Sequence, residues 1–177
     1  MYFFKRLGVI LFFFPTGIFP IFQGDIAGYE RILSVYRTKT INRTKDSTSN
    51  QHNGKISIQF MDKDNKEERE QVKRLFLDED IARWIDYSQN PVGKRLIAKT
   101  VDGKVVGILD FIPKDDHVWI GTIAVHPHYR RLGVAKSLIQ EVERLHKNNE
   151  NIKELKLVVS TRNSSAMAAY DKLGFHK

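Results

Sequence analysis

A turn crowded with cations, His126-Pro127-His128-Tyr129-Arg130-Arg131-Leu132-Gly133, joins an apolar run to a helical pattern. If Gly133, Val134, Ala135 and Lys136 form the first helical turn, their backbone N–H groups have no acceptor within the helix. They then converge in front of the strand end, where an anion is stabilised. Gly133 and Ala135 are small enough to let a phosphate approach the backbone, and Arg130 and Arg131 add charge that suits a diphosphate. A solvated basic surface has the same composition, so the rest of the chain must decide between the two. The second candidate is Tyr170, a phenol with an ordinary pKa of about 10 on the inward side of the last helical pattern. Alone, it reads as a packing residue as readily as an acid.

The elements that position these residues follow from periodicity. Val118 to Val125 is rich in residues that pack on a pleated surface and reads as a strand ended by Pro127, with His126 at its end. From Val134, apolar residues at Leu138, Val142 and Leu145, with Ala135 and Ile139 beside them, predict an amphipathic helix. Glu143 and Lys147 should pair on its wet face. Upstream, Lys55–Phe60 alternates as a first strand. Asp62–Leu77 then predicts a helix with Asp62 as cap, Val72, Leu75 and Phe76 inward, and Glu67, Glu68, Arg69, Glu70 and Lys73 in water. A second short helix is expected over Glu79–Tyr87. Two strands, Arg95–Val101 and Lys104–Ile112, flank a hairpin signal at Asp102-Gly103, and Val118–Val125 follows as a third antiparallel neighbour. Leu155–Val159 comes after a crossover helix and should run parallel to Val118–Val125. Ser164 or Asn163 caps a last helix with Ala166, Met167, Tyr170 and Leu173 inward, and Gly174 stops it. Phe175 begins a strand that the sequence cuts short.

The 177 residues, 41% apolar and 28% charged, have room for one enzyme domain with a substantial core. There is no cysteine, which excludes disulfides, thiolate catalysis and Cys-based zinc sites, and no metal site is expected. Of the net charge of +8, residues 1–54 supply four, from seven Lys and Arg against three Asp and Glu. The remainder is mildly basic, without the interleaved aromatic and basic residues of a nucleic-acid surface, so no specific nucleic-acid partner is expected. At the start, Lys5 and Arg6 precede the apolar run Leu7–Phe14, which Pro15 interrupts well short of the roughly 20 residues a spanning helix needs. Three readings of residues 1–22 stay open: a signal or membrane-associating segment, a structured or dimer-forming extension, and a disordered or misassigned start. Tyr29 to Tyr36 fits a short helix or a strand. Asn42–Gly54 has no apolar residue and reads as a linker, which puts the domain boundary between residues 54 and 55.

Two stretches together resemble the GNAT superfamily of acetyl-coenzyme A-dependent N-acetyltransferases. The first is the segment from Ile123 to Ile139, which contains the signature R/Q-x-x-G-x-G/A as Arg130, Gly133 and Ala135. The second places Asn163, Ala166, Tyr170, Leu173, Gly174 and Phe175 in the family's spacing. The resemblance covers residues 55–177 and implies an α+β fold in three layers, α/β/α. Its sheet would be mixed and mostly antiparallel, with a parallel central pair splayed around the cofactor, and one strand short at the C-terminus. It further implies acetyl-coenzyme A as acyl donor and an amine-bearing small molecule or peptide as acceptor; a cytoplasmic location is expected, with a homodimer and membrane contact through residues 1–22 as open readings of the N-terminal stretch. Carried over by position, Ile123 and Val125, with Ala124 between them, would offer backbone groups to the pantetheine arm and acetyl carbonyl. The amides of Arg131, Leu132, Gly133, Val134, Ala135 and Lys136, with Arg130, would hold the pyrophosphate. Asn163 would contact the pantetheine side, and Tyr170 would stand near the thioester sulfur as the acid.

The family's upstream carboxylate has no counterpart in Trp119–Thr122, which leaves open Asp110, Asp115 or Asp116 acting through water, His117 or His126 as proton acceptor, or an amine that arrives neutral. Trp84, Tyr87 and Ser88–Lys94, with Glu79 and Asp80, would wall the acceptor site. For the missing last strand the alternatives are an exposed edge, the N-terminal extension, or a partner chain. A non-catalytic acyl-coenzyme A-binding module is the competing reading of the whole.

Overall fold

The computed structural model describes residues 34–43, 56–76, 93–161 and 163–177. The apolar start at 1–22, the helix expected over Glu79–Tyr87 and the acceptor wall at Trp84, Tyr87, Glu79 and Asp80 lie outside the described residues.

Among the described residues, six strands and three α-helices make the fold: β1 (Ser34–Thr40), β2 (Ile56–Phe60), α1 (Lys66–Phe76), β3 (Lys94–Thr100), β4 (Val105–Pro113), β5 (His117–Val125), α2 (Val134–His146), β6 (Glu154–Ser160) and α3 (Ser164–Lys172). The strands form one sheet in the order β1-β6-β5-β4-β3-β2, and every pairing is antiparallel except β5 with β6. On one face α1 lays Val72 over Ile97, Val105 and Ile108. On the other, α2 and α3 cover Leu96, Leu109, Phe111, Ile123, Leu155 and Leu157. This is the expected three-layer, mixed and mostly antiparallel arrangement. Among the described residues no helix is long and apolar enough to cross a membrane.

Three local expectations change. Asp62 does not cap α1: its carboxylate accepts from Asp64 N–H at 2.9 Å in a tight turn, while Asn65 Oδ1 accepts from Glu68 N–H at 3.1 Å and starts the helix. Glu68 is buried rather than in water, because it receives Asp62 N–H at 3.0 Å and Lys99 Nζ at 3.0 Å. Glu143 pairs with Lys39 of β1 at 3.0 Å, an interaction between distant segments that helix spacing alone does not reveal.

The largest change concerns the edge of the sheet. Residues 34–43, which the sequence assigns to an extension ahead of the 54/55 boundary, belong to the folded unit. β1 pairs along all of β6, from Ser34 opposite Ser160 to Thr40 opposite Glu154. Its outer edge meets the chain's end through the reciprocal bonds Thr38 N–H to His176 O, 2.8 Å, and His176 N–H to Thr38 O, 2.9 Å. Of the three ways to complete the sheet, the N-terminal segment is the one realised.

Candidate active site

The parallel pair is joined only at one end. His117, Val118 and Trp119 pair with Glu154, Leu155 and Lys156, and beyond them the ladder stops although both strands continue. A bulge helps to turn β5 away. Against β4, the register passes from Phe111 opposite Ile120 to Leu109 opposite Ile123, so β5 carries one extra residue at Gly121-Thr122 and twists more strongly.

Past the bulge the peptide groups of β5 divide between two sides. His126 N–H donates to Val106 O at 2.9 Å, which marks His126, and by alternation Ala124, as the residues bonded to β4. The N–H and C=O groups of Ile123 and Val125 therefore face the opened gap toward β6. Ala124 does not offer backbone to the gap, a correction to the family carry-over: its peptide serves the β4 ladder and its side chain packs on the α1 face. Arg130 Nε donates to Val125 O at 3.1 Å, which ties the basic turn to the strand end and leaves Val125 N–H directed into the gap.

At the mouth of this gap the chain makes a short 3-10 turn, Pro127–Tyr129, and then enters α2. Lys104 of the β3–β4 hairpin lies over the Tyr129 ring at 5.8 Å and steadies that turn. Arg131 has φ of 62°, an uncommon conformation for a residue with a side chain, and Gly133 caps the helix at φ of 86°. Among the described residues no side chain caps the helix. The first ladder bond is Ser137 N–H to Gly133 O at 3.0 Å, reinforced by Ser137 Oγ to the same oxygen at 3.1 Å. The amides of Val134, Ala135 and Lys136 thus precede the ladder and have no acceptor within the helix. Arg131, Leu132 and Lys136 are exposed around them. Gly107 in β4 lets the helix start sit this close to the sheet, since a Cβ there would lie 2.7 Å from Val134 Cγ1. An apolar strand broken by one glycine is the signal in the sequence for such an approach.

Tyr170 lies on α3 within the same hydrophobic layer as Ile123, Val134 and Ala166, 5% exposed and edge-on to Phe175 at 5.7 Å. Burial pushes its phenol well above the ordinary value, so the proton stays on. Its carbonyl accepts from the N–H groups of Leu173 at 3.1 Å and Phe175 at 2.9 Å, and the Gly174 turn closes the helix on it. Asn163, not Ser164, caps α3: its Oδ1 accepts from Ala166 N–H and Ser165 Oγ, both at 3.1 Å. Capping uses the carbonyl oxygen, so the side-chain amide N–H groups are what Asn163 has left for a ligand.

Four of the five candidate bases are misplaced. Asp115, Asp116 and His117 stand at the zipped end of the pair, and at about 3.3 Å per residue His117 is about 26 Å along β5 from Val125. Asp116 accepts from His117 Nδ1 at 2.6 Å, on the exposed turn there. Asp110 is opposite the bulge but locked: Arg95 Nε and Nη2 grip its two oxygens at 2.6 and 2.7 Å in a buried pair. Burial raises its pKa while the Arg95 hydrogen bond and charge oppose that shift, and the bidentate grip keeps both oxygens on the guanidinium. His126 alone is at the open end. It lines a cavity of about 520 Å³ between α1 and the β3–β4 hairpin, together with Glu67, Glu70, Arg74 and Lys104.

The sheet thus opens between two parallel strands, with a bare helix N-terminus at the mouth of the gap. Residues 58–175 match the acetyltransferase (GNAT) family, and the chain belongs to it. Over 56 residues it is 41% identical to an N-alpha-acetyltransferase of Saccharolobus solfataricus, which is 32% of this chain and 34% of that protein. Over 76 residues it is 28% identical to the UPF0157 protein YqkA of Bacillus subtilis, 43% of this chain and 21% of that one. The chain therefore spans about a third and about a fifth of these two relatives. In fold it is similar to the aminoglycoside N-acetyltransferase AAC(6')-Iy in complex with CoA, with a TM-score of 0.54 and 24% identity over 69% of this chain and 88% of that one.

Proposed function

We propose that the protein transfers an acetyl group from acetyl-coenzyme A to a primary amine of a small molecule or peptide. The observation that carries this reading is the pairing of ladder-free peptide groups at Ile123 and Val125 with the uncapped start of α2 at one end of the gap. An extended amide-bearing arm adds to a strand edge through backbone bonds, and a diphosphate suits a bare helix N-terminus beside Arg131 and Lys136. The residues present thus fit acetyl-coenzyme A as acyl donor. Two of these similar proteins are named as N-acetyltransferases, which supports an amine acceptor.

The chemistry asks little of the protein beyond placement. The amine nitrogen forms a bond to the thioester carbonyl carbon while Val125 N–H, directed into the gap, stabilises the oxygen that gains charge. The carbon–sulfur bond breaks, and Tyr170, which burial keeps protonated, hydrogen-bonds the departing thiolate and supplies its proton. The phenol recovers a proton from solvent, and the amine nitrogen releases one to solvent or to His126.

A second reading, an acyl-coenzyme A-binding module without turnover, draws on two observations: Trp119–Thr122 carries no carboxylate, and Asp110 is held by Arg95. Replacing Tyr170 by Phe separates the two. An enzyme loses thiol release while keeping coenzyme A affinity, whereas a parent protein that binds coenzyme A yet releases no thiol with any amine is the module.

A further inference from the structure

The strand β1 lies outside the 58–175 family match, yet it touches both helices that frame the site. Lys39 reaches Glu143 on α2, and Arg43 Nη2 donates to the carbonyls of Asn149 at 3.0 Å and Ile152 at 2.7 Å, beyond the end of that helix. Arg37 reaches α3, where its Nη1 meets Asp171 Oδ1 at 2.8 Å. Asp171 is the residue after Tyr170. One position further along β1, Thr38 clasps His176. The helix that carries Tyr170 is therefore held by β1 from Asp171 on one side and from the residue after Phe175 on the other.

Arg37 is an expensive way to hold a helix. The residue is only 6% exposed, and its buried Nε has no hydrogen-bond partner among the described residues. A buried guanidinium with an unmet donor costs stability, and an apolar residue of similar volume would pack at this place with less penalty. A directional bond to a chosen carboxylate is what the guanidinium offers and the apolar residue does not. α3 has nine residues, so a tilt at Asp171 carries straight into Tyr170.

We propose that Arg37, acting through Asp171, is a positioning residue for Tyr170, so that a strand outside the acetyltransferase family region sets the aim of the acid. This rests on Tyr170 being that acid. The test is a double-mutant cycle in the full chain, reading kcat with acetyl-coenzyme A and an accepted amine, coenzyme A affinity by calorimetry, and folding by circular dichroism. Arg37→Gln should lower kcat about tenfold, within the loss that small misplacements cause, with coenzyme A affinity unchanged. Arg37→Lys should recover most of that loss. In a Tyr170→Phe background Arg37→Gln should have no further effect on kcat. Asp171→Asn, at a residue whose side chain is 55% exposed, should reproduce the Arg37→Gln loss in a protein whose core is untouched, which covers the case of Arg37→Gln failing to fold. Equal losses from Arg37→Gln in both backgrounds, or variants with parental kcat, overturn the proposal. Full kcat in Tyr170→Phe alone overturns the assignment of the acid itself, and is read independently of Arg37.

Discussion

Tyr170 and Asp110 are both buried ionisable groups, and their surroundings give them opposite work. Tyr170 meets apolar neighbours, and burial holds its proton on. Its phenol should therefore put no descending limb on the kcat–pH profile below about pH 10. Tyr170→Phe should lower kcat about 10²-fold or more, the usual range for a lost acid, while leaving coenzyme A affinity unchanged. The stability consequence has a definite sign. Above about pH 10 the unfolded chain releases this proton and the folded chain keeps it, so stability falls as pH rises. Melting temperatures measured through that range should fall less steeply for Tyr170→Phe than for the parent. Asp110, by contrast, is fixed by Arg95, and Arg95→Met leaves a buried carboxylate without its cation. A loss of about 3–5 kcal/mol is expected in denaturant unfolding, and the pair Arg95→Met with Asp110→Leu should restore most of it. Tyr170 and Gly133 are legible in the sequence because their spacing repeats a known pattern. The Arg95–Asp110 lock is not, since charges near a hairpin look solvated until register sets them opposite each other.

At the scale of elements, the site is made by an interruption: β5 and β6 pair for three residues and then part. Periodicity locates the strands of the sheet from β2 to β6 to within a residue at most ends, because half-buried strands and amphipathic helices announce their periods. What periodicity does not contain is the partner of a short segment. β1 follows residues outside the described structure and precedes a polar linker, and its neighbour β6 is more than a hundred positions away in the chain. Bulges are equally silent, since the extra residue at Gly121-Thr122 changes register without changing composition. The seat of α2 on β4 is open to test. Gly107→Ala places a methyl group against Val134 and should cost about 1–3 kcal/mol of stability. It should also weaken coenzyme A binding by moving the amides of Val134, Ala135 and Lys136. Gly133→Ala tests the cap itself, at about 1–2 kcal/mol for a side chain in the left-handed region.

At the scale of the molecule, β1 lies between β6 and His176 and covers the edge of β6. Removal of residues 1–43 should expose the β6 edge and release Arg37, Lys39 and Arg43 from their partners, giving a protein that aggregates in light scattering or melts at markedly lower temperature. The acetyltransferase family region and the strand outside it thus form one folded unit around the gap. The most direct measurement incubates the purified chain with acetyl-coenzyme A and a panel of primary amines, following free thiol and the mass of each amine. The site described predicts thiol release that depends on the amine, matched by an equal amount of N-acetylated product. Thiol release no faster than hydrolysis with every amine, or a product acetylated on a hydroxyl, would contradict it.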